Sequence, residues 1–347
     1  MPVSWNDYLA LPGADKAYQE CQDRCAENYG PLRAIIRRVV RALQPASVAC
    51  LGAGVLNDIP YRTLVRTAAE IHLVDWLPGA AEAGIARSIL ARDENGLPQC
   101  VYCMLDGEAP EAYCVHFKQA GDADSRVCDH FEPGDGDIPT CGAFEKGERP
   151  AVSQEDVTGG LATAFGEKVG EALGGVKTWK QAVRRADSLA NRVRHHQHSL
   201  GIGDGSMDLV TSSMVVSQFE HEPYDYFSQR AKEILGAPSK KDGKRLEGEV
   251  ERLRSKLLVW QVERHCDEIE RILKPDGRCF MAFEVFHRDP DSGRWFLVRE
   301  MYDVLGILGK RFDFDFDVLP AADSCIEIQV GQAPSIVQTF VLKPKAA

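Results

Sequence analysis

The stretch Ser47-Val48-Ala49-Cys50-Leu51-Gly52-Ala53-Gly54 decides the fold, because a short apolar strand runs there straight into a pair of glycines. Residues 55–70 (VLNDIPYRTLVRTAAE) then carry a helical pattern, and residues 70–76 (EIHLVDW) make a second apolar strand that ends on the acid Asp75. Two parallel strands need a crossover between them, and such crossovers are right-handed, so this β-turn-α-β unit opens a doubly wound sheet. Glycines lack the β-carbon that would keep a ligand from the backbone. A carboxylate closing the next strand about twenty residues on can accept hydrogen bonds from ribose hydroxyls. The arrangement points to a nucleotide-bearing ligand, with a purely structural glycine turn as its alternative.

Working outward, residues 1–44 read as an N-terminal helical cap. Trp5, Tyr8, Leu9, Tyr18, Leu32, Ile35, Ile36, Val39 and Val40 are spaced for amphipathic faces, and Pro45 stops the run. Residues 78–92 form another helix. Regular patterning then breaks over 99–149, a cysteine-, glycine- and aspartate-rich insertion. Alternation resumes with a short strand reaching Gln154, Glu155 and Asp156, a helix through 179–196 and the strand MDLVTSSMVV from Met207. A Lys- and Gly-rich break at 237–248 precedes a long helix over 250–273, ended by Pro275 and Gly277 before the strand RCFMAFEVF. A helix over 294–309 and strands over 312–319, 325–330 and 336–342 follow; late strands without helices between them predict an antiparallel hairpin at one edge. The domain expectation is therefore a cap over 1–44 and an α/β domain over 45–347 interrupted by the insertion.

The glycine segment lacks the third glycine of a dinucleotide fingerprint, with Leu56 and Asn57 in its place, which argues against an NAD(P)-dependent oxidoreductase. The sequence instead resembles the class I S-adenosylmethionine-dependent methyltransferases in VACLGAG, EIHLVD, MDLVTSSMVVSQF and RILKPDGRCFMAFE. In that family a helix ending in Leu-Lys-Pro-Gly-Gly leads into the fifth strand. Leu273-Lys274-Pro275-Asp276-Gly277 does so here, with Asp276, a turn-tolerant residue, for the first glycine. The resemblance covers about residues 45–95 and 150–345 and implies a Rossmann-like, mostly parallel sheet with an antiparallel last strand. It implies S-adenosylmethionine as cofactor, with Gly52, Ala53 and Gly54 along its methionine and ribose part and Asp75, next to Trp76, on the ribose hydroxyls. Asp156, followed by Val157, would face the adenine, or else serve as a helix N-cap. Asp58, just inside the first helix, would contact the cofactor through water or favour the helix N-terminus.

Methyl transfer needs alignment, exclusion of water and, for a protonated nucleophile, a base. Ser212 and Ser213 end the fourth strand where many nucleic-acid and protein amide methylating relatives carry an Asn/Asp-Pro-Pro-Tyr/Phe motif, which points to a small-molecule acceptor. His221 is the candidate base, an ordinary surface histidine being its alternative, and Tyr224 and Glu284 are further catalytic candidates. Tyr18, Tyr29 and Arg33 are candidate lid residues.

Eleven cysteines include five in the insertion: Cys100, Cys103, Cys114, Cys128 and Cys141. Phenylalanine follows three of these, Cys114, Cys128 and Cys141, at the third residue, which suggests a small core organised around bound metal, either zinc or an iron-sulfur cluster. Free thiols are the other reading, and a metal-dependent sensor or binding module is the alternative function. Cys21, Cys25, Cys50, Cys266, Cys279 and Cys325 read as small buried or partly buried hydrophobes. With 41 basic against 52 acidic side chains and a net charge of −11, a broad nucleic-acid footprint is not expected. Basic side chains at Lys177–Arg194 on a helix and at Lys240, Lys241, Lys244 and Arg245 in a loop read as solvated faces. No stretch approaches the ~20 apolar residues that span a bilayer, and no secretory leader is evident, so the expectation is a soluble, cytoplasmic protein. The sequence is silent on oligomeric state and on the acceptor.

Overall fold

The computed structural model describes residues 4–14, 26–90, 131–133, 139–141, 150–219, 221–298, 301–330 and 333–345. The N-terminal region comprises helix α1 (Trp5–Ala14), a 3-10 turn (Ala26–Tyr29) and helix α2 (Gly30–Leu43). Then follow β1 (Ser47–Leu51), α3 (Tyr61–Thr67), β2 (Glu70–Asp75) and α4 (Ala80–Leu90). Two short antiparallel strands, β3 (Phe131–Pro133) and β4 (Pro139–Cys141), stand apart from the main sheet. The chain continues through β5 (Ala151–Gln154), α5 (Leu161–Ala172), α6 (Trp179–Val193), β6 (Met207–Ser213), α7 (His221–Leu235) and α8 (Lys240–Ile272). It ends with β7 (Leu273–Arg288), β8 (Trp295–Leu297), α9 (Met301–Arg311), β9 (Phe312–Phe314), β10 (Cys325–Val330) and β11 (Ala333–Pro344).

The main sheet runs in the order β10-β11-β7-β6-β1-β2-β5. Strands β5, β2, β1, β6 and β7 are mutually parallel, whereas β11 is antiparallel to both β7 and β10. The fold is thus a Rossmann-like, doubly wound sheet with an antiparallel C-terminal hairpin. Strand β1 lies at its centre and is buried throughout, its side chains alternating between two cores. Val48 and Cys50 join a layer formed by α2, α3 and α4, while Ala49 and Leu51 face α8 and α9. Order reverses between β1 and β6, the switch point where open α/β sheets bind ligands.

Several expectations change. Helix α2 buries Leu32, Ile35, Ile36, Val39 and Val40 against the sheet as a layer on it, and among the described helices of the expected cap α1 is the one that lies over the site. The crossover helix begins at Tyr61, leaving Asp58 in a loop instead of a helix. Pro60 supplies no N–H and turns the preceding residue away from the helical region, so the helix starts only beyond it. Lys240, Lys241, Lys244 and Arg245 lie in the first turns of α8, not in a loop, because Lys, Arg, Leu and Glu outweigh Gly243 and Gly248 in helix propensity. Residues 295–297 pair with β7 as a strand. Cys50, Cys266 and Cys279 are buried and free as expected, but Cys325 is exposed where it opens edge strand β10. No described helix is long and apolar enough to cross a membrane.

Candidate functional site

A cleft opens at the carboxyl ends of β1, β2 and β6. Its floor is the turn after β1, where the Gly52 and Ala53 amides donate to the Val74 carbonyl at 2.8 and 3.0 Å. Gly52 has φ +70°, and a β-carbon there would lie 2.1 Å from Val215 Cγ2, so this glycine is required by packing from the segment after β6. Gly54 has φ +49° and nothing within 4 Å of where its β-carbon would be: here the backbone is open to the cleft.

Asp75 braces this turn. Its Oδ2 accepts from the Gly54 amide at 2.7 Å and its Oδ1 from the Leu77 amide at 2.8 Å. Burial raises its pKa, against the backbone N–H groups of Leu77, Gly54 and Trp76 that favour the carboxylate. Asp58 lines the same cleft at 8% exposure, and its Oδ2 has no hydrogen-bond partner. Burial pushes its carboxyl up to about 6, against the neighbouring Ser213 hydroxyl, its own backbone amide and the Arg33 guanidinium. Ser213 is also buried in the cleft wall, and its Oγ makes no geometrically acceptable hydrogen bond.

The other expected residues separate. Trp76, Val157 and Tyr29 line the cleft. Asp156 spends both oxygens locally, Oδ1 accepting from the Thr158 amide at 2.8 Å and from its hydroxyl, Oδ2 from the Thr163 amide at 2.8 Å. These bonds brace the loop before α5, whose N-cap is Gly160 and not Asp156, and the cleft wall is made by Val157 and Thr158. Ser212 turns away to His265, at 2.8 Å. Arg33 donates to the carbonyls of Ala26 and Asn57, pinning the 3-10 turn to the loop after β1. His221 is exposed and, with Glu284, lines a separate cavity bordered by α8, β7 and β8. Glu284 there accepts from Ser335 Oγ at 2.6 Å. Tyr224 packs among the helices, its ring 5.9 Å from that of Phe227 and 5.3 Å from the Arg254 guanidinium. Tyr18 and Cys100, Cys103, Cys114 and Cys128 lie outside the described residues; Cys141 closes β4. Among the described residues no group of three or more His, Cys, Asp or Glu is placed to hold a metal ion.

Glu222, expected from its place after the fourth strand to border the substrate pocket, and Leu9 of the cap line the cleft, and Leu77, Met214, Val215, Gln218 and Phe219, not singled out from the sequence, complete the wall. Glu222 meets the Tyr8 hydroxyl, and burial raises its pKa despite that hydrogen bond. Helix α1 is held over the opening by Trp5, whose ring stands 6.2 Å from Trp76 and 5.2 Å from Tyr226, edge-on to both. The early sign of Leu77, Met214, Val215, Gln218 and Phe219 was their place just after a strand at the sheet's carboxyl edge.

No protein-family model matches the sequence, and no curated protein matches it. Among solved structures, similarity is found at low identity. The N-methyltransferase NodS from Bradyrhizobium japonicum WM9, in complex with S-adenosyl-L-homocysteine, is 8% identical; the match covers 95% of this chain and 89% of that one, with a TM-score of 0.35. The 1,6-didemethyltoxoflavin-N1-methyltransferase from Burkholderia thailandensis is 13% identical over 91% of this chain and 78% of that one, with a TM-score of 0.33. The arsenic(III) S-adenosylmethionine methyltransferase from Chlamydomonas reinhardtii is 14% identical over 86% and 63%, with a TM-score of 0.31.

Proposed function

We propose that this protein is an S-adenosylmethionine-dependent methyltransferase that acts on a small molecule. The observation that carries the reading is the convergence, in one cleft, of the open backbone at Gly54, the Asp75 carboxylate and two neighbouring buried oxygens that no full hydrogen bond satisfies, Asp58 Oδ2 and Ser213 Oγ. An unsatisfied buried polar group costs about 1–3 kcal/mol, so a cleft that keeps two is suited to a ligand that donates hydrogen bonds.

The residues present fit S-adenosylmethionine. Asp75 would take the ribose hydroxyls, the apolar faces of Trp76, Leu77 and Val157 the purine, and Asp58 with Ser213 the ammonium of the amino-acid end. When bound, this donor supplies a methyl group on a positively charged sulfur. The chain aligns the acceptor and keeps water out, the latter through Leu9, Val215 and Phe219. Glu222, in the cleft wall and with a raised pKa, is better placed than His221 to take a proton from an acceptor.

Thermal unfolding with S-adenosylhomocysteine tests the reading. A ligand at a hundred times its dissociation constant adds about 2.7 kcal/mol, which raises the melting temperature by several degrees. Asp75→Ala should shrink that rise. No rise in the unsubstituted protein at millimolar ligand would overturn the proposal.

A further inference from the structure

His265 on α8 is fully buried, and both its ring nitrogens are engaged. Nδ1 lies 2.7 Å from the Val157 carbonyl oxygen and Nε2 lies 2.8 Å from Ser212 Oγ. A carbonyl can only accept, so Nδ1 carries the proton, Nε2 is the acceptor, and the Ser212 hydroxyl donates to it. The ring also stands edge-on to Phe219, 5.1 Å between centroids. Val157 and Phe219 line the cleft, and Ser212 leads directly into its wall at Ser213, Met214 and Val215. One neutral imidazole therefore joins the loop after β5, the end of β6 and the segment beyond it.

The geometry points to His265 as a positioning residue for the donor cleft: its Nδ1–H holds the Val157 wall at a set distance from the end of β6, so that the purine end of the ligand finds its slot already formed. This rests on the methyltransferase reading. The neighbouring carboxylates are engaged elsewhere. Asp156 is committed to Thr158 and Thr163, and the Glu155 carboxylate reaches away to the Gly201 amide.

Three variants separate positioning from plain stability. His265→Asn keeps an N–H donor near the δ position for Val157; His265→Gln keeps an acceptor near the ε position for Ser212; His265→Leu keeps neither. Calorimetric titration with S-adenosylhomocysteine, well below each variant's melting temperature, should give Asn near the wild-type affinity. Gln and Leu should be weakened about tenfold, the affinity equivalent of one lost hydrogen bond. If all three bind like the wild type and only melt earlier, His265 is structural and the inference is overturned. If Asn is as weak as Leu, the Val157 tie is overturned. If Leu does not fold, the contrast between Asn and Gln decides. A wild-type protein that fails to bind S-adenosylhomocysteine would overturn the methyltransferase reading itself, a result distinct from any difference among variants.

Discussion

Asp58 and His265 are buried ionisable groups whose pKa values move in opposite senses. The Asp58 carboxyl sits at about 6, above its unfolded value, so its contribution to stability is present at low pH and lost as pH rises through 6. Asp58→Asn should therefore stabilise the ligand-free protein at pH 7–8, by about 3 kcal/mol, with the gain shrinking to nothing near pH 4; urea unfolding at several pH values would show it. The same substitution should weaken S-adenosylhomocysteine binding, a trade of binding for stability typical of a site that keeps a buried charge. Gly52→Ala makes a different test, since the new methyl would meet Val215 in a left-handed backbone conformation. It should cost about 2 kcal/mol or more, and Gly52→Ala combined with Val215→Ala should recover the part due to the clash but not the part due to φ. Of these residues the glycines and Asp75 could be read from sequence because a glycine turn after one strand and an acid closing the next are short-range patterns, although the packing of Val215 on Gly52 could not. Asp58's loss of a partner could not, since it depends on Ser213 and Arg33, which are far away in the chain.

Helix α1 docks chiefly through Trp5, with Tyr8 and Leu9 packed beside it. Trp5 is 2% exposed and sits against Gly166 of α5, where a β-carbon would lie 2.2 Å from its indole Cδ2. Alanine in place of a mid-helix glycine ordinarily stabilises by about 1 kcal/mol, but Gly166→Ala should here push Trp5 out. The expected result is faster amide exchange over Trp5–Ala14, with the sheet unaffected and a weaker affinity for S-adenosylhomocysteine as Leu9 leaves the cleft. At the other end of the sheet, Lys274 of the Leu-Lys-Pro-Asp-Gly segment binds Asp208 Oδ1 at 2.6 Å, while Asp208 Oδ2 accepts from the amides of Ala46 and Ser47. Asp208→Ala should lower stability by about 1–3 kcal/mol in urea unfolding without changing ligand affinity, because it unties the amino ends of β1, β6 and β7 and leaves the cleft edge alone. The motif was legible as the start of β7, whereas its anchoring bond to β6 was not.

For the molecule as a whole, acid stability is set partly by a near cancellation. Burial pushes the His265 ring down to about 4, with Asp156 and Glu268, the charged groups close to it, opposing that shift without overcoming it. Its folded-state pKa lies below the unfolded one, so its contribution is present above about pH 6.5 and lost as pH falls through 4. Asp58 gains stability over an overlapping interval, between about 6 and its unfolded value. The wild type should thus lose stability only gently between pH 6 and 4. Asp58→Asn should lose it steeply there, by about 3 kcal/mol, and His265→Asn should gain stability as pH falls. Unfolding midpoints across that range check all three.

Hydrophobic period, glycine placement and strand-ending acids determined the sheet, its parallel centre, its antiparallel edge and the turn that faces a ligand. These are short-range patterns, and each strand or turn carries its own instruction. What only the tertiary structure decided is which polar atoms stay unpaired and which meet: Asp58 left open, Asp156 consumed by its own loop, Ser212 claimed by His265, Glu222 at the cleft while His221 turns to another cavity. Partners of this kind come from segments that can lie more than a hundred residues apart, as His265 and Val157 do, and whether a buried oxygen is satisfied depends on where the packed chain brings the second atom.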